Sequence, residues 1–188
     1  WIDRGMGDEL TRQREKGAQV LSHHLGRTDA SVWDGRSGMT PATLAALWPV
    51  GVRTVLLAPD ALVDGAPAGP VTLDAGPGRP VDAVVGDARL TTAVAWRGDP
   101  VLDAAMVAAE LALAAAETEG PTALVLATPE DWPTDPAAVS LLARALSDPI
   151  APTRPVTLDG FLEQGPAGAP AALAPLLLPD LGDHPAEL

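Results

Sequence analysis

The chain has 188 residues, a formal net charge of −13, one lysine (Lys16) against eleven arginines, and no cysteine. An acidic chain without a basic run is a poor match for a nucleic-acid backbone or an anionic lipid surface. The missing cysteines exclude a disulfide framework and a thiol nucleophile, and no apolar run reaches the roughly 18–20 residues of a membrane span. The length suffices for one sizeable core. The opening Trp1-Ile2-Asp3-Arg4 does not read as a signal peptide and lacks an initiating Met, so the chain is expected to be a piece of a longer protein.

In chain order, residues 8–25 predict a surface helix. Leu10, Gly17, Val20, Leu21 and Leu25 supply its apolar side, Arg12, Arg14, Glu15 and Lys16 its wet side, and Gly26 is placed to end it. A short strand is expected at 30–33, then the loop Asp34-Gly35-Arg36-Ser37-Gly38. Thr40-Pro41 reads as a cap followed by a first-turn proline, opening a helix through Trp48. Residues 53–58 are a buried strand ending in Pro59-Asp60. Residues 64–80, rich in Gly and Pro, are expected to form a mobile excursion with a short strand at 71–73. A strand at 81–85 ends in Gly86-Asp87, and a short helix follows at 88–95.

The stretch 99–132 anchors the rest. Asp99 is a cap, Pro100 a first helical residue, and 101–118 are almost all strong helix formers. At 100° per residue, Leu102, Met106, Ala109 and Leu113 make one stripe, with Asp103, Glu110 and Glu117 as an acidic row beside it that reads as a solvent-facing seam. Gly120-Pro121 stops the helix, and 122–127 is a continuous apolar run of the kind buried on both faces of a parallel sheet. Asp135-Pro136 then opens a helix through Leu146. A last strand is expected at 155–158, with Asp159 capping a turn of helix at Phe161-Leu162. This gives one α/β domain over 1–164 and a Pro/Ala-rich tail or linker over 165–188. Strand–helix alternation with short connections predicts a mostly parallel sheet with flanking helices, either open and doubly wound or part of a larger (β/α) barrel.

In parallel α/β folds ligands gather at the carboxyl ends of the strands. Those ends carry Trp33-Asp34, Asp60, Asp87, Glu130-Asp131-Trp132 and Asp159. Indole faces stack on sugars, and paired carboxylates perform glycosidic acid/base work. The competing reading is that these acids cap the next helix, a role that suits Asp87, Asp159 and Asp60. Asp135 already supplies a cap for the following helix, which leaves Glu130, Asp131 and Trp132 as the stronger functional candidates. Adjacent His23 and His24 point about 100° apart on a helix, and His184 lies in the tail, so no metal site and no cofactor are expected. No GxSxG, P-loop or GxGxxG is present.

Five words of the chain fall in the order and spacing of a known family. Trp33-Asp34 followed by MTPATLAALWPVGVRTVLL at 39–57 resembles its “W-P…D-x-x-T-L-x-x-L…G-V-x-T-V-x-L-S” segment. GDARL at 86–90 is similar to its “A-D-x-x-L” element, and AAELA at 108–112 to its “L-A-E-L-A” helix. LVLATPEDWP at 124–133, with Asp135, resembles “V-L-A-P-P-R-x-W-x-P-D”, and 155–162 its “P-V-T-L-D-x-L”. The family is one of secreted actinobacterial proteins of unknown function, whose genes commonly lie beside the lipid II flippase. The resemblance, over residues 30–165, implies an extracytoplasmic segment of a secreted or membrane-anchored cell-surface protein. It also implies an α/β domain similar to carbohydrate-active, glycoside hydrolase- or deacetylase-like barrels, with any membrane association made through segments outside this chain. Asp34 stands where the family often has Pro, and Glu130-Asp131 where it tends to have Pro-Arg.

The expected function is therefore a non-catalytic envelope domain that binds a protein partner or glycan, with Trp33, Asp60, Glu130, Asp131 and Trp132 as ligand-binding residues. The alternative is a carbohydrate-active enzyme drawing two catalytic carboxylates from Asp34, Asp60, Asp87, Glu130 and Asp131. A third reading is a scaffold that positions neighbouring domains.

Overall fold

The computed structural model describes residues 7–26, 31–36, 38–65, 69–94, 99–117, 123–128, 136–147, 153–164 and 168–174. Six helices are formed among them: α1 (Gly7–Leu25), α2 (Pro41–Leu47), α3 (Ala88–Ala93), α4 (Pro100–Glu117), α5 (Pro136–Ala145) and α6 (Leu158–Gln164). The strands are β1 (Val32–Asp34), β2 (Thr54–Leu57), β3 (Val71–Asp74), β4 (Pro80–Val85) and a two-residue β5 (Ala169–Pro170). They lie in the order β1-β2-β4-β3-β5. Among the described residues this is an open sheet with β1 and β5 at its edges, and no closed barrel is formed. β1 runs parallel to β2, and β2 parallel to β4, with Asp34 opposite Leu56 and Leu57 opposite Val85. The mixed α/β class and the mostly parallel pairing are as expected.

Local chemistry sets the helix starts. The Thr40 hydroxyl accepts from the Thr43 amide at 3.1 Å and Pro41 follows, so α2 begins where an orphan donor is satisfied and a missing N–H costs nothing. Asp99 does the same for α4, accepting from the Val101 and Leu102 amides at 3.0 and 3.2 Å. Gly26, at a φ of 75°, ends α1. α1 docks through Leu10, which packs on the sheet cluster, and through Arg14, whose guanidinium donates to the Val50 carbonyl.

One face of the sheet carries Val55, Leu57, Val71, Leu73, Val81, Ala83 and Val85 into a cluster with Leu44 and Leu47 of α2. The alternation is that of a strand: Val81 and Ala83 are buried while Pro80 and Asp82, which alternate with them, are exposed. A second cluster joins Leu90, Ala93 and Val94 at α3 to Val107 and Leu111 of α4.

Four expectations are corrected. First, within 64–80 the short strand expected at 71–73 forms as β3, but it is part of the sheet rather than of an excursion: β3 and β4 make an antiparallel hairpin, with Val71 and Leu73 buried. Gly76 and Gly78 take φ of 127° and 70° in its turn, a region that costs glycine little, so the Gly-rich composition marks a tight turn.

Second, no strand is formed at 123–128. β3 already occupies the neighbouring edge of β4 over 80–83, which leaves only its carboxyl end free. Third, residues 153–157 are likewise not a strand, and Thr157 rather than Asp159 caps α6, its hydroxyl accepting from the Gly160 amide at 3.2 Å.

Fourth, α4 is turned relative to the expected stripe. Asp103, Val107, Leu111 and Ala114 are buried, whereas Leu102 and Leu113 are about half exposed, at 47% and 45%. Ala, Val and Leu surround most of this helix, so periodicity alone could not choose its inner face. Residues 168–174 also join the sheet: β5 pairs parallel to β3, and the Val63 amide donates to the Ala172 carbonyl at 3.1 Å. The sheet thus continues past residue 164, into the Pro/Ala-rich stretch.

Candidate functional site

Parallel pairing of β1, β2 and β4 brings their exits to one edge, and the first acid there is Asp34 at the end of β1. The next residue is Gly35, whose amide donates to the Leu56 carbonyl at 2.9 Å; a Cβ there would come within 2.6 Å of the Met39 side chain. Only glycine fits without moving Met39, and the turn it permits folds Arg36 back over the strand end. The Arg36 amide donates to Asp34 Oδ1 at 3.1 Å, while its Nε and Nη2 reach Oδ1 and Oδ2 at 2.9 and 2.6 Å. This is a two-pronged guanidinium–carboxylate fork, which adds direction to charge attraction. The remaining prong, Nη1, donates to the backbone carbonyl of Thr128. The Arg36 hydrogen bonds hold the Asp34 carboxyl below its ordinary pKa, against the opposing effect of partial burial.

Asp87, at the exit of β4, is a helix cap. Its Oδ1 accepts from the Leu90 amide at 2.9 Å and so opens α3. Its own amide donates to the Val125 carbonyl at 2.9 Å, which brings 123–128 alongside the end of β4. Asp60 is exposed in the turn after β2. Trp33 is half-buried and packs against the sheet cluster, so its indole contributes to the core beneath this edge. Glu130, Asp131 and Trp132 lie outside the described residues.

The acidic row of α4 is not a uniform solvent seam. Asp103 is buried. Glu117 accepts from Arg89 Nη1 at 2.8 Å, and Glu110 lies 3.9 Å from Arg89 Nε, so one arginine of α3 faces two acids a seven-residue step apart. The Glu117 hydrogen bond raises the already high pKa of the Arg89 guanidinium. His23 and His24 are exposed and meet edge to face, with centroids 5.0 Å apart; His184 lies outside the described residues. Among the described residues no three His, Cys, Asp or Glu side chains gather as metal ligands. No described helix is long and apolar enough to cross a membrane.

Arg36 is the residue that sequence reasoning passed over. Its signal was present in Asp34-Gly35-Arg36: an acid and an arginine two apart, separated by a glycine, can close an Asx turn and a fork together. Its reach to Thr128, 92 residues on, could not be read from the chain.

A scan against protein-family models finds none that matches this chain. A search of curated proteins returns no relative.

Proposed function

We propose that this chain is a non-catalytic, extracytoplasmic domain of the cell envelope that binds a protein partner or a glycan at the carboxyl edge of its sheet. The observation that carries the proposal is the commitment of the edge acids. Asp34 is held ionised in the Arg36 fork, and Asp87 opens α3. A carboxylate with both oxygens on a guanidinium is a poor proton donor and a poor nucleophile at neutral pH. Glycosidic chemistry needs one protonated acid and one free carboxylate facing each other. Asp34, held below its ordinary pKa by the fork, does not supply the first, and Asp87 is committed as the cap of α3. The kinship with secreted actinobacterial proteins, the surface anchoring through segments outside this chain, and membership of a larger (β/α) barrel belong to the same proposal. They rest on the resemblance over residues 30–165.

The test is one of turnover. The chain, incubated with insoluble actinobacterial cell-wall glycan, is expected to release no soluble saccharide. Asp60→Ala and Glu130→Ala are expected to match the parent in that assay. Saccharide release that either substitution abolishes, with circular dichroism unchanged, would overturn the proposal in favour of a carbohydrate-active enzyme.

A further inference from the structure

We propose that residues 123–128 are a detachable strap over the carboxyl end of β4, and that Arg36 is its latch. The strands beneath are held by ladders. β4 pairs with β2 along one edge and with β3 along the other. The strap has no such ladder: among the described residues, one backbone bond, from the Asp87 amide to the Val125 carbonyl, ties it to the turn that follows β4. Leu124 and Leu126 pack only partly buried against the α3–α4 cluster.

Two features then bring the strap close and hold it. A Cβ on Gly86 would stand 3.1 Å from the Ala127 Cβ, so glycine at that position lets the strap lie against β4. At the strap's far end the Thr128 carbonyl receives the third prong of Arg36, whose other prongs Asp34 holds still. A segment tied by few bonds opens at lower free energy than the ladder strands it covers. Its release bares the Asp87 amide and the adjoining edge of β4, at the end of the sheet where parallel α/β folds take ligands. The purpose of the device, uncovering a binding edge, rests on the function proposed above. The latch itself is tested without any ligand, so the two can fail separately.

Adjacent amides provide the readout. The Gly86 amide donates to Leu57 within the sheet at 3.0 Å, and the Asp87 amide donates to Val125 of the strap at 2.9 Å. Residue-resolved hydrogen exchange on the 188-residue chain carrying Arg36→Ala is expected to speed the Asp87 amide about tenfold, the scale of one lost hydrogen bond to a charged group. The Gly86 amide is expected to keep its rate. Gly86→Ala, which pushes on Ala127 without altering charge, is expected to speed position 87 in the same way. Equal acceleration at both amides in Arg36→Ala would make the strap part of the sheet's own cooperative unit and overturn the proposal. So would unchanged exchange at both, or an Arg36→Ala chain that no longer folds.

Discussion

Around the sheet, thirteen described residues from β2, β3, β4, α2 and the adjoining turns bury into one cluster, whereas only five do so among α3, α4 and the turn that follows α3. The difference follows from how each region is specified. A strand in a ladder has a fixed register, so each side chain points either into the core or away from it, and an apolar alternation is translated directly into burial. A helix on helices has no ladder to set its rotation. α4, nearly apolar all round, settles with Asp103, Val107 and Leu111 inward and leaves Leu102 and Leu113 half in water. An apolar residue is thus worth more in one region than in the other, and that difference is measurable.

The largest contrast is expected between Leu57→Ala and Leu111→Ala. Leu57 is fully buried in β2, and its truncation should cost about 2–5 kcal/mol in a denaturant titration. Leu111→Ala should fall at or below about 2 kcal/mol, because its partly buried neighbours Met106 and Leu124 have room to close the gap. Equal losses would erase the distinction between the regions. Asp87→Ala comes next: removal of the α3 cap should cost about 1 kcal/mol, while Asp60→Ala, in an exposed turn, should stay within about 0.5 kcal/mol.

Asp34→Asn should cost less than the Asp87 cap, below about 1 kcal/mol, since the pair is partly exposed and screened. Its sign with pH is fixed by the lowered Asp34 pKa. The ionised, Arg36-bound form favours the folded chain above the ordinary carboxylate value of about 3.9, and this contribution is lost as pH falls below it. The stability gap between parent and Asp34→Asn should therefore narrow between about pH 5 and pH 2. A gap that widens on acidification would mean that the fork does not hold Asp34 as described. The smallest effect belongs to Leu102→Gln on the outer face of α4, within about 0.5 kcal/mol in the same titration. A loss above 2 kcal/mol there would place that face inside a core.

Much of this was legible, and the legible parts are local. Thr40-Pro41 and Asp99-Pro100 announce α2 and α4 because a cap and a first-turn proline act within four residues. The run at 53–58 announces β2 because apolar residues between turn residues suit a strand covered on both faces, and 81–85 announces β4 as a short Val-rich run closed by Gly86-Asp87. The run at 122–127 carries the same signal yet stays outside the ladder. Its failure lies in competition: β3 holds the shared edge of β4 over 80–83. At the edge itself Asp87 as a cap was foreseeable from Gly86-Asp87-Ala88, whereas the Arg36 fork needed the Gly35 turn to be built before its target came within reach.

By itself, then, the sequence determined most of the helices and the runs that became β2 and β4, and that parallel strands would send their acids to a common edge. Those outcomes depend on side-chain period and on hydrogen bonds spanning a few residues. Only the tertiary structure decided which edge of β4 each candidate strand obtained, which side of α4 faced inward, and that Arg36 would join Asp34 to Thr128. Each of these is a choice among partners distant in the chain, made by the free space and unpaired backbone that the rest of the fold leaves open.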